Sequence, residues 1–153
     1  MGQIRTMIAS TLMLALANGA TADRLDAPDR VSVLLGAHHL GADGFEEFTP
    51  GVFLTWDNRL EYSVGVFSNS YGDFSAAFSA GYPIAEWENG AVHAFGGLAY
   101  YENAEDVSDF TVGDIVPLAG IQLRQGRVFT QLIPMDGTPV DAIITLGITI
   151  PTN

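Results

Sequence analysis

The sequence has no cysteine and no lysine, and no stretch approaches the 18 consecutive apolar residues of a transmembrane helix. Without cysteine there is neither a disulfide scaffold nor a thiolate metal site. Six arginines stand against 18 acids, a formal net charge of −12. That balance excludes nucleic acid as a partner, because phosphate affinity is supplied by basic side chains. Neither helical periodicity nor an internal repeat is evident after residue 30. What is present in quantity is apolar residues, 48% of the chain, too many for a disordered polymer. A length of 153 residues fits one domain.

Residues 1–22 read as a secretory signal peptide, which leaves 23–153 as a single β-barrel domain. Arg5 supplies a charged start, Met7 to Ala17 an apolar run of 11 residues, and Ala20-Thr21-Ala22 the small-residue cleavage pattern. Its removal takes away Arg5 and no acid, so the exported chain stays strongly acidic. If the protein meets a membrane, it must do so with strands.

Strand signals are dense. Short runs rich in β-branched and aromatic residues predict strands over 31–38, 51–57, 60–68, 74–82, 91–101, 115–124, 127–134 and 141–150. Turn chemistry separates them: Asp57-Asn58, Tyr71-Gly72-Asp73, Asn89-Gly90, Gln125-Gly126 and Asp136-Gly137. Alternate residues of a strand share a face. Ala142, Ile144, Leu146, Ile148 and Ile150 therefore lie opposite Asp141, Thr145, Gly147 and Thr149. Val52, Leu54 and Trp56 oppose Gly51, Phe53 and Thr55, and strands three and four split in the same way. One face is apolar from end to end. The other is small and mixed, with Ser, Thr, Gly and Phe, and the charge lies at strand ends and in loops.

Eight antiparallel strands with an apolar outer band describe the smallest transmembrane barrel, an all-β up-and-down barrel of the outer-membrane type. Short connections after strands two, four and six place the termini on the periplasmic side, with the longer segments His39–Pro50 and Glu102–Asp114 facing outward. Trp56, Tyr62, Tyr82, Trp87, Tyr100 and Tyr101 are candidate interface aromatics. The alternative is a soluble eight-stranded cup with its apolar face inside, which needs a polar exterior that the pattern does not offer. Outer-membrane localisation, membrane lipids as partners and a monomeric state are the expectations. No cofactor is expected, and the three histidines are too scattered for a metal site.

This topology brings His38, His39, Asn69 and Ser70 to the outward end. A histidine beside a hydroxyl is the minimum for activating a nucleophile, and a third group then orients the imidazole. Asn69, Asp43, Glu46, Glu47, Glu102, Glu105 and Asp106 are candidates for that third role. Strand parity points His38 into the lumen and His39 outward, unless a bulge intervenes. His93 falls mid-strand on the lumen face, where a satisfied core histidine is the ordinary reading. Pro50, Pro117 and Pro134 lie at strand edges or within strands; each leaves a gap in the ladder, and paired gaps at one height would open a slot from lipid to lumen.

Phe67-Ser68-Asn69-Ser70-Tyr71, followed by Ala80-Gly81-Tyr82, resembles the Phe-x-Asp-Ser-Trp … Ala-Gly-Tyr stretch of the lipid A palmitoyltransferase family. Pro117-Leu118-Ala119-Gly120, Val128-Phe129-Thr130-Gln131 and Ile133-Pro134 are similar to that family's sixth and seventh strands. Glu46-Glu47-Phe48-Thr49-Pro50-Gly51 resembles the approach to its second strand. The ordered set runs from Val31 to Ile150. The resemblance implies an eight-stranded outer-membrane barrel that holds an acyl chain and moves it from a phospholipid to lipid A. It matches Ser70 to the family's serine, and His38 or His39 to its histidine. Asn69 stands where the family has aspartate, and an amide cannot stabilise an imidazolium by charge. The amphipathic helix that precedes the family's first strand has no counterpart in Asp23–Arg30, and loop one is shorter. On this reading Phe53, Phe67, Phe95 and Phe129 line an acyl cavity, while Ser70 and a loop-one histidine assist attack on a phospholipid ester. A non-catalytic barrel for lipid binding or envelope stability is the alternative.

Overall fold

A computed structural model of the chain describes residues 26–102, 104, 110–136 and 140–152. The signal-peptide reading of residues 1–22 lies outside the described residues. Eight strands follow one another as β1 (Arg30–Leu40), β2 (Gly51–Asp57), β3 (Glu61–Ser68), β4 (Phe74–Trp87), β5 (Gly90–Tyr100), β6 (Ile115–Gln125), β7 (Val128–Pro134) and β8 (Ala142–Pro151). Each pairs antiparallel with its neighbours in sequence, and β1 closes on β8 to complete the barrel. Three tight turns, over 58–60, 88–89 and 126–127, share one end with the start of β1 and the end of β8; this is the turn end. In the last of them Gly126 takes a positive φ of 58°, and its amide donates to the Asn89 carbonyl at 2.6 Å. The opposite, loop end carries the connections over 41–50, 69–73, 101–114 and 135–141.

The strand that departs from expectation is β4, which runs to Trp87 rather than ending near Tyr82. Pro83 does not stop it. Beyond Gly81 the β3 ladder has ended, so no partner on that side requires the missing amide, and a register shift between Pro83 and Ala85 absorbs the ring on the β5 side.

Side-chain direction decides the character of the molecule. Ile144, Leu146, Ile148, Ile150, Val64, Val66, Val52 and Leu54 all face outward and are exposed, with Leu146 at 51%. Phe78, Leu98, Ile121, Leu123, Val128 and Leu132 continue this belt around the circumference. Tyr62, Tyr82 and Trp87 are exposed on its turn-end side, and Phe48, Phe74 and Phe110 on its loop-end side. Exposed apolar patches on ordinary monomers are interrupted and much smaller. Tyr101 is a correction to the aromatic set: it is buried, packed with Ala99, Ala104 and Val116 inside the loop end.

The interior is filled in two different ways. Towards the loop end Phe53 and Phe67 stack at 6.0 Å, and Phe67 meets the edge of Tyr101 at 6.0 Å. Large rings fit because glycines face them: a Cβ at Gly65 would collide with the Phe53 ring, and one at Gly147 with the Phe129 ring. Towards the turn end the lumen is ionic, because charged residues at strand ends turn inward there rather than to solvent. Arg30 bonds both Asp57 and Glu61, the latter at 2.6 Å. Gln122 donates to Glu61 at 2.9 Å, Gln131 donates to Gln122 at 2.9 Å, and Thr145 donates to Gln131 at 3.1 Å. Glu61, Gln122, Gln131 and Thr145 belong to the inward-facing sets of β3, β6, β7 and β8, which is how one parity assembles them.

Candidate functional site

Two of the eight ladders stop short of the loop end. Pairing between β1 and β2 ends at Leu34 and Gly51, and pairing between β6 and β7 ends at Ile121 and Leu132. The other ladders continue, as far as Leu40 with Ala142 between β1 and β8 and Tyr100 with Ile115 between β5 and β6. The outer half of the wall is therefore two leaves, one of β7, β8 and β1, the other of β2 to β6. Pro50 precedes the first residue of β2 at one split, while Pro117 and Pro134 flank the other and face outward. None of these prolines can supply the amide that would close the seam.

His39 and Ser70 meet across the first split. Ser70 Oγ lies 2.9 Å from His39 Nε2. The imidazole is on β1, in one leaf; the hydroxyl is in the β3–β4 connection, in the other. His39, not His38, faces the lumen: it is 7% exposed, while the His38 side chain is 61% exposed. The cause is a bulge between Leu34 and Gly36 that flips the parity of the rest of β1. A side chain at Gly36 would strike the Glu47 carbonyl oxygen, and that same carbonyl accepts from the Ala37 amide at 2.9 Å. Segment 41–50 thus lies along β1 where β2 is missing. It brings Phe45 onto the His39 ring, stacked at 4.5 Å, with Tyr71 against the edge of Phe45.

The third group of a triad is absent from this arrangement among the described residues. His39 Nδ1 is buried without a hydrogen-bond partner. Glu47 pairs instead with the outward His38, at 2.7 Å from Nδ1. Asn69 is buried and wholly committed to its own turn: its Oδ1 accepts from the amides of Tyr71 at 2.9 Å and Asp73 at 3.0 Å, and its Nδ2 donates to Ser75 Oγ at 3.0 Å. The Asn69-Ser70 pair is therefore one structural residue and one chemical residue. Asn69 shapes the loop that presents Ser70. The alternatives Glu105 and Asp106 lie outside the described residues.

Chemically, Ser70 and His39 can exchange a proton. When Nε2 is the acceptor, the Ser70 hydroxyl is polarised for attack, with the imidazole in its Nδ1–H tautomer and that proton unpaired. Nearby, Tyr101 has its phenol pushed up by burial, so it stays a neutral donor. His93 lies on the lumen face as its parity predicts, 5% exposed, with Nε2 3.8 Å from Glu61 but Nδ1 unpaired. Among the described residues no group of histidine and acid side chains is arranged to hold a metal ion. Phe53, Phe67, Phe95 and Phe129 all belong to the inward-facing set, below and beside the dyad. Phe53 and Phe129 line a lumen cavity, while Phe67 stacks on Phe53 and Phe95 packs over Gly120. No known family model and no curated protein matches the chain.

The lumen network of Arg30, Glu61, Gln122 and Gln131, with Arg124 beside it, is what sequence reasoning missed. Its signal was present in the parity of strands three, six and seven, where these long polar residues fall on the face otherwise occupied by Ser, Thr and Gly.

Proposed function

We propose that this protein is an outer-membrane barrel that acts on acyl esters of envelope lipids, with Ser70 and His39 as the reacting pair. The observation that carries the reading is the 2.9 Å contact between Ser70 Oγ and His39 Nε2 at the loop end of a barrel whose outside is apolar. In the reaction, His39 Nε2 takes the Ser70 proton as the oxygen attacks the ester carbonyl of a phospholipid. The imidazolium returns that proton to the departing glyceryl oxygen, releasing a lysophospholipid. A hydroxyl of the acceptor lipid then gives its proton to His39 as it attacks the acyl-Ser70 ester, and the imidazolium passes that proton to the departing Ser70 Oγ, restoring both residues. The split between β6 and β7, flanked by Pro117 and Pro134, offers a lateral route for the acyl chain between bilayer and lumen. Entry of a long chain requires Phe53 and Phe67 to give up their mutual packing. The resemblance to lipid A palmitoyltransferases supports lipid A as the acceptor.

The test is mass spectrometry of lipid A and phospholipids from cells with and without expression. An added acyl mass on lipid A with matching lysophospholipid is expected, and Ser70→Ala abolishes both. No mass gain with the wild-type protein removes the enzymatic claim. The unpartnered Nδ1 of His39 and the structural role of Asn69 favour a second reading, a barrel that binds lipid without turning it over. In that case lipid binding is unaltered by Ser70→Ala.

A further inference from the structure

The turn-end half of the lumen, opposite the dyad, contains a partly open cavity of about 70 Å³. Its charged lining consists of Arg30, Glu61 and Arg124, and with Asp57, which pairs with Arg30, the two cations and two anions balance. Almost every other polar group around it is already satisfied. Arg30 is consumed by Asp57 and Glu61. Ser32 donates to Thr149 at 3.0 Å, and Thr55 and Ser63 share a bond of 2.9 Å. Gln122 and Gln131 belong to the chain that ends on Glu61.

Arg124 is the exception. It makes no ion pair among the described residues, and its Nε is buried without a hydrogen-bond partner. Ser79 lines the same cavity, and among the described residues no side-chain hydrogen bond occupies its hydroxyl. A guanidinium is a rigid fork suited to two oxygens of one carboxylate or phosphate. A buried donor left unmatched beside a polar cavity calls for an acceptor.

We propose that this cavity is a binding site for a small oxyanion, a carboxylate or phosphate group, held by Arg124 with Ser79 as a supporting donor. Arg30, Asp57 and Glu61 are bound to one another and fix the walls, so the free donor that recognises the ligand is the Arg124 guanidinium. Phe53 and Phe129 also line this cavity, so it adjoins the inner-face rings of the proposed acyl site, but the oxyanion is held without Ser70 or His39.

The full chain, folded in a zwitterionic detergent, is titrated with inorganic phosphate, with acetate and with dihexanoyl phosphatidate by calorimetry. Saturable one-to-one binding is expected. Arg124→Gln weakens it at least about tenfold, as loss of a charged hydrogen-bonding partner does. Arg124→Lys keeps the charge without the fork and gives an intermediate affinity, while Arg127→Gln, in the exposed turn, changes nothing. Binding of phosphatidate alone assigns the oxyanion to a lipid headgroup; binding of phosphate or acetate assigns it to a free anion. Absence of binding by all three probes, or equal binding by wild type and Arg124→Gln, overturns the proposal. Should Arg124→Gln fail to fold, Arg124→Lys and Ser79→Ala decide it: unaltered affinity in both is the contradicting result.

Discussion

Replacing Leu146 with arginine separates a hydrocarbon-facing wall from a water-facing one. Leu146 sits at the middle of β8, points outward, is 51% exposed, and is paired with Gly36 on one side and Thr130 on the other. Ile144 and Ile148 flank it on the same face, both exposed. In water, exchanging such a half-exposed leucine for arginine changes stability by no more than about 0.5 kcal/mol, as for ordinary surface positions. In a bilayer the same residue lies near the midplane, and the charged side chain costs about 2–4 kcal/mol. Urea unfolding from lipid vesicles, followed by the fluorescence of Trp56 and Trp87, reads the difference. A loss of at least about 2 kcal/mol is expected for Leu146→Arg. A change within about 0.5 kcal/mol in vesicles refutes the reasoning.

Two further perturbations follow from the loop end. His39→Ala is expected to abolish acyl transfer while His38→Ala leaves it intact, because only His39 meets Ser70; lysophospholipid release measured on both variants checks this, and the opposite ranking would refute the assignment. Asn69→Ala removes the one acceptor of two backbone amides and one donor from a buried turn, so a loss of about 1–3 kcal/mol is expected in urea unfolding, together with faster hydrogen exchange at the amides of Tyr71 and Asp73.

The strands were legible because their alternation is nearly uninterrupted and because turn residues mark most of the breaks. Seven strands lie within about two residues of their expected ends. β4 continues through Pro83 beyond its expected end at residue 82, since a proline is disruptive only where its amide is needed. The location of Ser70 near a histidine was legible from loop topology, but the identity of that histidine was not. It depends on one bulge, and the only local sign of it is Gly36. Glycine also occurs in strands wherever a ring or a neighbouring backbone comes close, as at Gly65 and Gly147, so its presence does not single out a bulge. The role of Asn69 was equally hidden. An asparagine before a serine reads as a weakened triad, whereas here its short side chain bonds the backbone two and four residues on. The ionic lumen was hard to foresee because Arg30 and Glu61 lie at strand ends, where charge is ordinarily solvated; closure of the barrel turns those ends inward.

Whether the belt of Val64, Leu146 and Ile148 meets lipid is tested most directly by nitroxide labels placed one at a time from Ile144 to Thr149 in vesicle-reconstituted protein. Collision rates with oxygen and with a water-soluble nickel chelate are then compared. Labels at 144, 146 and 148 are predicted to favour oxygen and exclude nickel, with the order reversed or both rates low at 145, 147 and 149. Nickel access at 144, 146 and 148 would contradict the account.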